Sequence, residues 1–152
     1  MKYLVAFCCF CSFSFQAVAQ SSEESVKQTV QDFFKAFHAK DTVALADFAY
    51  GYVELQSIGK DKEGKVKLDS QPYRTFVKSI GSIPDHIKFE ERLTDYIIKV
   101  DGDMANAWTP YEFYMNGEFS HCGVNSFQFI KIDTGWKIIY LVDTKRKEGC
   151  GE

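Results

Sequence analysis

His121 is the side chain best suited to move a proton near neutral pH, because an unperturbed imidazole titrates there. It stands beside Cys122 near the start of an expected strand. Glu112 on the preceding strand, or Asp143 on the last one, would complete an acid–base pair with it. The competing reading is a partly exposed histidine at a strand end, hydrogen-bonded to backbone. Asp143 poses a related question, since its neighbours are apolar and an unpaired buried carboxylate is costly. On an internal face it would need Arg74, Arg146 or His121 as a partner; at an exposed strand end it would need none.

Other chemistries find less support. His38, His86 and His121 fall in three different elements with no two at ligand spacing, so no metal site is expected. Nucleophile elbows, phosphate-binding glycine loops and Cys-x-x-Cys pairs are absent after residue 19, and no cofactor is implied. Cys122 and Cys150 can be tested by counting. If Ile132 faces Trp136 across the last turn, Cys122 lies opposite Arg146, and Cys150 sits about 13 Å beyond if extended. A disulfide needs Cα atoms within about 7 Å. Pairing therefore requires the tail to fold back, which Gly149 and Gly151 would allow; two separate thiols are the alternative.

The other three cysteines, Cys8, Cys9 and Cys11, lie in a segment that reads as a cleavable secretory signal. Lys2 supplies the positive start, Tyr3 to Phe15 is uncharged and largely apolar, and Ala17-Val18-Ala19 gives a small-x-small cleavage pattern. The apolar stretch is short of the roughly 20 residues a membrane span needs. Residues 1–19 are thus expected to be a signal peptide and residues 20–152 one exported domain, periplasmic or secreted. Lys2 is the one charge lost, which moves the net charge from −3 to −4. Mild acidity predicts neither nucleic-acid binding nor adhesion to anionic membranes.

The elements that must position these residues follow from periodicity. Ser21-x-x-Glu24 fits a capping box. Val26, Val30, Phe33, Phe34 and Phe37 make one apolar stripe on a helix of about 26–39. Asp41 caps a short second helix with Val43, Leu45, Ala46 and Phe48. Tyr52 to Ile58 reads as a strand and 59–65 as an exposed charged loop, with a third helix after Ser70 carrying Tyr73, Phe76, Val77 and Ile80. Four strands then run Ile87–Val100, Met104–Met115, Phe119–Ile132 and Trp136–Thr144, joined by Asp-Gly, Asn-Gly and Thr-Gly turns as an antiparallel meander. Helices first and a meander last give an α+β class.

Three segments in this order carry a resemblance. They are Val30 to Asp41, the turn Gly102-Asp103-Met104-Ala105-Asn106-Ala107-Trp108, and the closing Asp133-Thr134-Gly135-Trp136-Lys137-Ile138-Ile139. Together they resemble the nuclear transport factor 2-like superfamily, which includes ketosteroid isomerases and SnoaL-like cyclases. The resemblance implies N-terminal helices packed in a strongly curved antiparallel sheet, a cone-shaped barrel with an internal pocket, often dimeric through the outer sheet face. It also implies where isomerase residues would stand. The helix tyrosine position holds Phe33 and the general-base aspartate position holds Leu55, neither of which can carry a proton. Proton-transfer chemistry of that type is therefore disfavoured.

Three functions remain open. The first is a binding module for a small apolar or amphipathic ligand, lined by Phe33, Phe37, Trp108, Tyr111, Phe113 and Tyr140. The second is an isomerase, cyclase or dehydratase using His121 with Glu112 or Asp143. The third is a dimerising or assembly module, with homodimerisation expected on the resemblance.

Overall fold

The first helix buries the face that its spacing predicts. In a computed structural model describing residues 21–151, α1 (Ser22–His38) turns Val26, Val30, Phe33, Phe34, Ala36 and Phe37 into the core. Ser21 Oγ accepts from the Glu24 amide at 3.2 Å, which is one half of the expected capping box. The signal expected over residues 1–19 lies outside the described residues. Asp41 accepts from the amides of Val43 and Ala44 and so starts α2 (Thr42–Asp47). Between the two helices Lys40 takes a left-handed backbone, φ 54°, and its ammonium donates to three carbonyls, Ile83, Pro84 and Ile87, at 2.8–3.2 Å.

The sheet is built from β1 (Glu54–Lys60), β2 (Val66–Pro72), β3 (Phe89–Leu93), β4 (Ile97–Asp101), β5 (Met104–Met115), β6 (Glu118–Ile132) and β7 (Gly135–Thr144). Their order is β2-β1-β7-β6-β5-β3, with β4 also paired to β5. The meander is antiparallel as expected, while β1 joins β7 in parallel, so the sheet as a whole is mixed. The third helix, α3 (Tyr73–Gly81), begins one residue after Pro72. It buries Tyr73, Val77 and Ile80.

Two elements differ from the sequence expectation. Residues 66–72 form the edge strand β2, nearly all of it exposed; only Val66 and Leu68 alternate with polar residues, too short a run to mark a strand. The long strand expected over 87–100 is two strands, broken at Thr94 to Tyr96. Pro110 explains the break. Its carbonyl accepts from the Thr94 amide at 2.9 Å, but it has no N–H to return, and the ladder resumes only at Ile97 opposite Trp108.

Bulges curve the sheet and decide which residues face inward. Between Phe113 and Tyr114 the β5–β6 register shifts, leaving Ser120 unpaired, so His121 points in and Phe119 out. Between Gln128 and Phe129 the β6–β7 register shifts, leaving Ile139 unpaired and 39% exposed. Before it Trp136 and Ile138 face the core; after it Leu141 and Asp143 do. Phe127 and Phe129, both essentially fully buried, lie on the inner face of β6, and Phe33 and Phe34 meet Phe127 edge-on.

Candidate functional site

An interior cavity of about 130 Å³ lies between the helices and the sheet. Its walls are Phe33, Phe34 and Phe37 of α1, Phe76 of α3, Leu55 of β1 and Leu141 of β7. Three polar side chains also line it, Glu91, Asn125 and Asp143, one each from β3, β6 and β7. Register brings them together. Asn125 pairs with Asp143 across β6 and β7, and Asn125 Nδ2 donates to Glu91 Oε1 at 2.7 Å.

Helix and strand fix Glu91 from both sides. His38, in the last turn of α1, accepts the Glu91 amide on its Nε2 at 2.9 Å. Burial holds the His38 pKa below its usual value, against the opposing charge of Glu90, so this neutral acceptor role fits its environment. Burial pushes the Glu91 carboxyl up to about 8; the Asn125 hydrogen bond opposes the rise and the charge of Asp143 adds to it. Asp143 is also raised, first by burial, while hydrogen bonds from Ser57 and Tyr111 and the charge of Lys145 pull the other way. At neutral pH Glu91 therefore keeps its proton.

Tyr111 forms the wall beside Asp143. Its hydroxyl donates to the Thr144 carbonyl at 2.9 Å and approaches Asp143 Oδ2 at 3.4 Å. Burial, then the Asp143 charge, keeps that phenol protonated. Gly123 makes this approach available. A Cβ there would lie 1.8 Å from the Thr144 carbonyl oxygen and 2.8 Å from the Tyr111 ring. Next to Asn125, Thr109 is fully buried with its hydroxyl unpartnered, a free hydrogen-bonding group on the same inner face.

The residues named from sequence separate accordingly. Phe33 and Phe37 line the cavity, and Tyr111 bonds the group that lines it. Phe113 faces inward but stacks between Phe89 and His121. Trp108 and Tyr140 are corrections. Trp108 is 45% exposed on the outer face of β5, because the inner positions are its neighbours Ala107 and Thr109. Tyr140 follows the Ile139 bulge onto the outer face, where its hydroxyl donates to Gln56.

His121 is a correction as a catalytic base. It is buried, stacked on Phe113 at 4.7 Å and edge-on to Tyr111, with Nδ1 at 3.1 Å from Ser120 Oγ. Burial, then Lys145 and Lys147, lower its pKa to about 4, so it is neutral at physiological pH. No hydrogen bond or ion pair joins it to Glu112 or Asp143 among the described residues. Glu112 faces outward and accepts from Tyr114 at 2.8 Å. Asp143 has Tyr111 as its partner rather than Arg74, Arg146 or His121. Cys122 and Cys150 are joined in a disulfide with Cα atoms 5.8 Å apart. The tail folds back through Gly149, at φ 62°, and Cys122 pairs with Arg146.

Glu91 and Asn125 escaped the sequence reading. The signal for Glu91 was present in Phe89-Glu90-Glu91-Arg92-Leu93, whose alternation puts a carboxyl between two apolar residues on one face. Chemically, the cavity offers a protonated carboxyl, a second carboxyl and an amide against aromatic walls. Such a set can bind a polar group by hydrogen bonds and can exchange a proton with it.

No protein-family model matches the sequence, and no curated protein does either. Solved structures do. A nuclear transport factor 2 (NTF2-like) superfamily protein from Salmonella enterica superposes with TM-score 0.63 at 20% identity, covering 86% of this chain and 96% of that one. An NTF2-like protein with a cystatin-like fold from Novosphingobium aromaticivorans gives TM-score 0.63 at 15% identity, covering 86% and 84%. One of unknown function from Silicibacter pomeroyi gives 0.55 at 16%, covering 80% and 93%. With its helices laid into a curved, open seven-stranded sheet, the chain has the NTF2-like fold.

Proposed function

We propose that this chain is an exported ligand-binding domain that holds a compact amphipathic molecule inside its cone. The observation that carries the reading is the cavity itself, apolar on its walls and polar where Glu91, Asn125 and Asp143 meet. At about 130 Å³ it is smaller than the roughly 300 Å³ at which drug-sized pockets begin, so the ligand is small. Native mass spectrometry of protein purified from its own compartment tests this directly. A retained small mass is expected, lost in Leu141→Trp, which fills the cavity, and weakened about tenfold in Asn125→Ala. A bare chain in every preparation counts against it.

A second reading is favoured by one observation, two carboxyls, Glu91 and Asp143, lining one cavity where burial raises both. That pair can relay a proton to a bound substrate, with His121 taking no part. Glu91→Gln separates the two readings, because a binding domain keeps its ligand and an enzyme loses turnover.

Export is supported by the order of Lys2, the apolar stretch and Ala17-x-Ala19, and by a disulfide of the kind that oxidising compartments sustain. A mature mass beginning at Gln20 is the expected result. Homodimerisation is supported by the outer sheet face, where Ile97, Met104 and Trp108 are 48%, 55% and 45% exposed. Light scattering should give twice the chain mass, and Trp108→Glu should return it to the monomer value.

A further inference from the structure

A cleft of about 630 Å³ opens where the β1–β2 hairpin leaves the sheet and the chain runs on past β7. It shares no lining residue with the cavity inside the cone. Lys60 lines one side and the consecutive Lys145, Arg146 and Lys147 the other, with Ile58 and Val66 as apolar surface. Two carboxylates border it, Asp69 and Glu148. Asp69 is taken by Lys67 at 2.5 Å, and none of Lys60, Lys145 and Lys147 has an ion-pair partner among the described residues. A chain of net charge −3 thus gathers four cations against two carboxylates at one place, and one of those carboxylates already pairs with Lys67.

The basic wall is fixed rather than a loose tail. The Lys145 amide donates to the Ile58 carbonyl at 2.8 Å, and Arg146 and Cys122 exchange both backbone hydrogen bonds at 2.9 Å. The Cys122–Cys150 disulfide closes the turn behind it. Arg146 is spent on that turn, its Nη1 donating to the carbonyls of Glu148 and Gly149. Lys60, Lys145 and Lys147 line the cleft without such a tie. Lysine ammoniums grip phosphate and carboxylate as point charges, and adjacent apolar surface adds affinity for a hydrocarbon arm.

We infer that this cleft is a second binding site, for a small anion carrying an apolar arm, with a phosphate or carboxylate head on Lys60, Lys145 and Lys147 and the arm against Ile58 and Val66. The disulfide makes the site redox-dependent, because reduction frees the segment that bears two of the three lysines. Neutralising exposed cations also makes binding salt-sensitive.

The test is an NMR titration of the purified, oxidised, isotope-labelled protein with octyl phosphate below its micelle concentration. Inorganic phosphate and phosphatidylglycerol vesicles form the comparison arms. Shifts are expected at Ile58 to Lys60 and Lys145 to Lys147, with octyl phosphate binding at least fivefold tighter than inorganic phosphate. Lys60→Glu with Lys145→Glu should weaken binding at least tenfold. Lys35→Glu with Lys99→Glu, an equal charge change elsewhere on the surface, should leave it within twofold. Raising salt from 50 to 500 mM, or adding a reductant, should weaken binding about tenfold. Equal losses in both double variants, shifts confined to cavity residues such as Leu141, or binding to vesicles without binding to octyl phosphate would each overturn the site.

Discussion

Two buried titratable groups pull the stability of this domain in opposite directions as pH changes. His121, held near 4, favours the folded state less as pH falls below the 6.5 of a free imidazole. Glu91, held near 8, does the reverse: its contribution is complete below the pKa of a free carboxyl and is lost as pH rises through 8. Between about 4.5 and 6.5 the two slopes oppose each other. From 6.5 to 8 Glu91 is the one of the two that still titrates, and each pH unit there is worth up to about 1.4 kcal/mol, so the unfolding free energy from urea titration should drop by about 2 kcal/mol over that window. Glu91→Gln should flatten the drop; a drop that persists in this variant would assign it to another group. The same pair shows what was legible at this scale. His121 stood out because its residue type is reactive, yet its surroundings of Phe113 and Tyr111 are set by a bulge at Ser120 that leaves no composition signal.

Helices and hairpin turns were readable because each carries its own signal, an apolar stripe on α1 and Asp-Gly or Asn-Gly at the strand ends. Bulges are not, and here one unpaired residue decides the content of the cavity. Simple alternation groups Tyr140 with Trp136 and Ile138; the bulge at Ile139 puts Leu141 and Asp143 there instead. Deleting Ile139 should therefore remove the bulge and leave Leu141 and Asp143 facing inward, because Tyr140 would then follow Ile138 directly and still meet Gln128. The expected outcome is cooperative thermal unfolding with a native-like near-ultraviolet circular dichroism spectrum; loss of cooperativity would show that the sheet needs the bulge's curvature and not only the phase it sets. Lys40 is a second element-scale device. Its ammonium ties the α1–α2 corner to the α3–β3 connection through three carbonyls, which Met could not satisfy. Lys40→Met should cost about 2 kcal/mol in chemical denaturation.

For the molecule as a whole, average charge proved a poor guide to local charge. A net of −3 says nothing of the cations gathered between Lys60 and Lys147, because residues distant in sequence meet only once β1 lies beside β7. The disulfide is likewise a property of the closed fold. Its arithmetic succeeds because the Ile139 bulge offsets a hairpin that pairs Ile132 with Gly135 rather than with Trp136. It closes a loop of 28 residues, so Cys150→Ser should lower stability by about 3 kcal/mol, read as a lower melting temperature that reductant no longer changes.

That tie also has a timing. Cys150 follows the last strand, so the bond can close only after β7 has been made, and only where an oxidant is present. Until then the chain is reduced and lacks that part of its stability. Under the proposed export, the chain would be loose on the near side of a membrane and locked on the far side. The cross-link would then act as a latch that makes passage one-way.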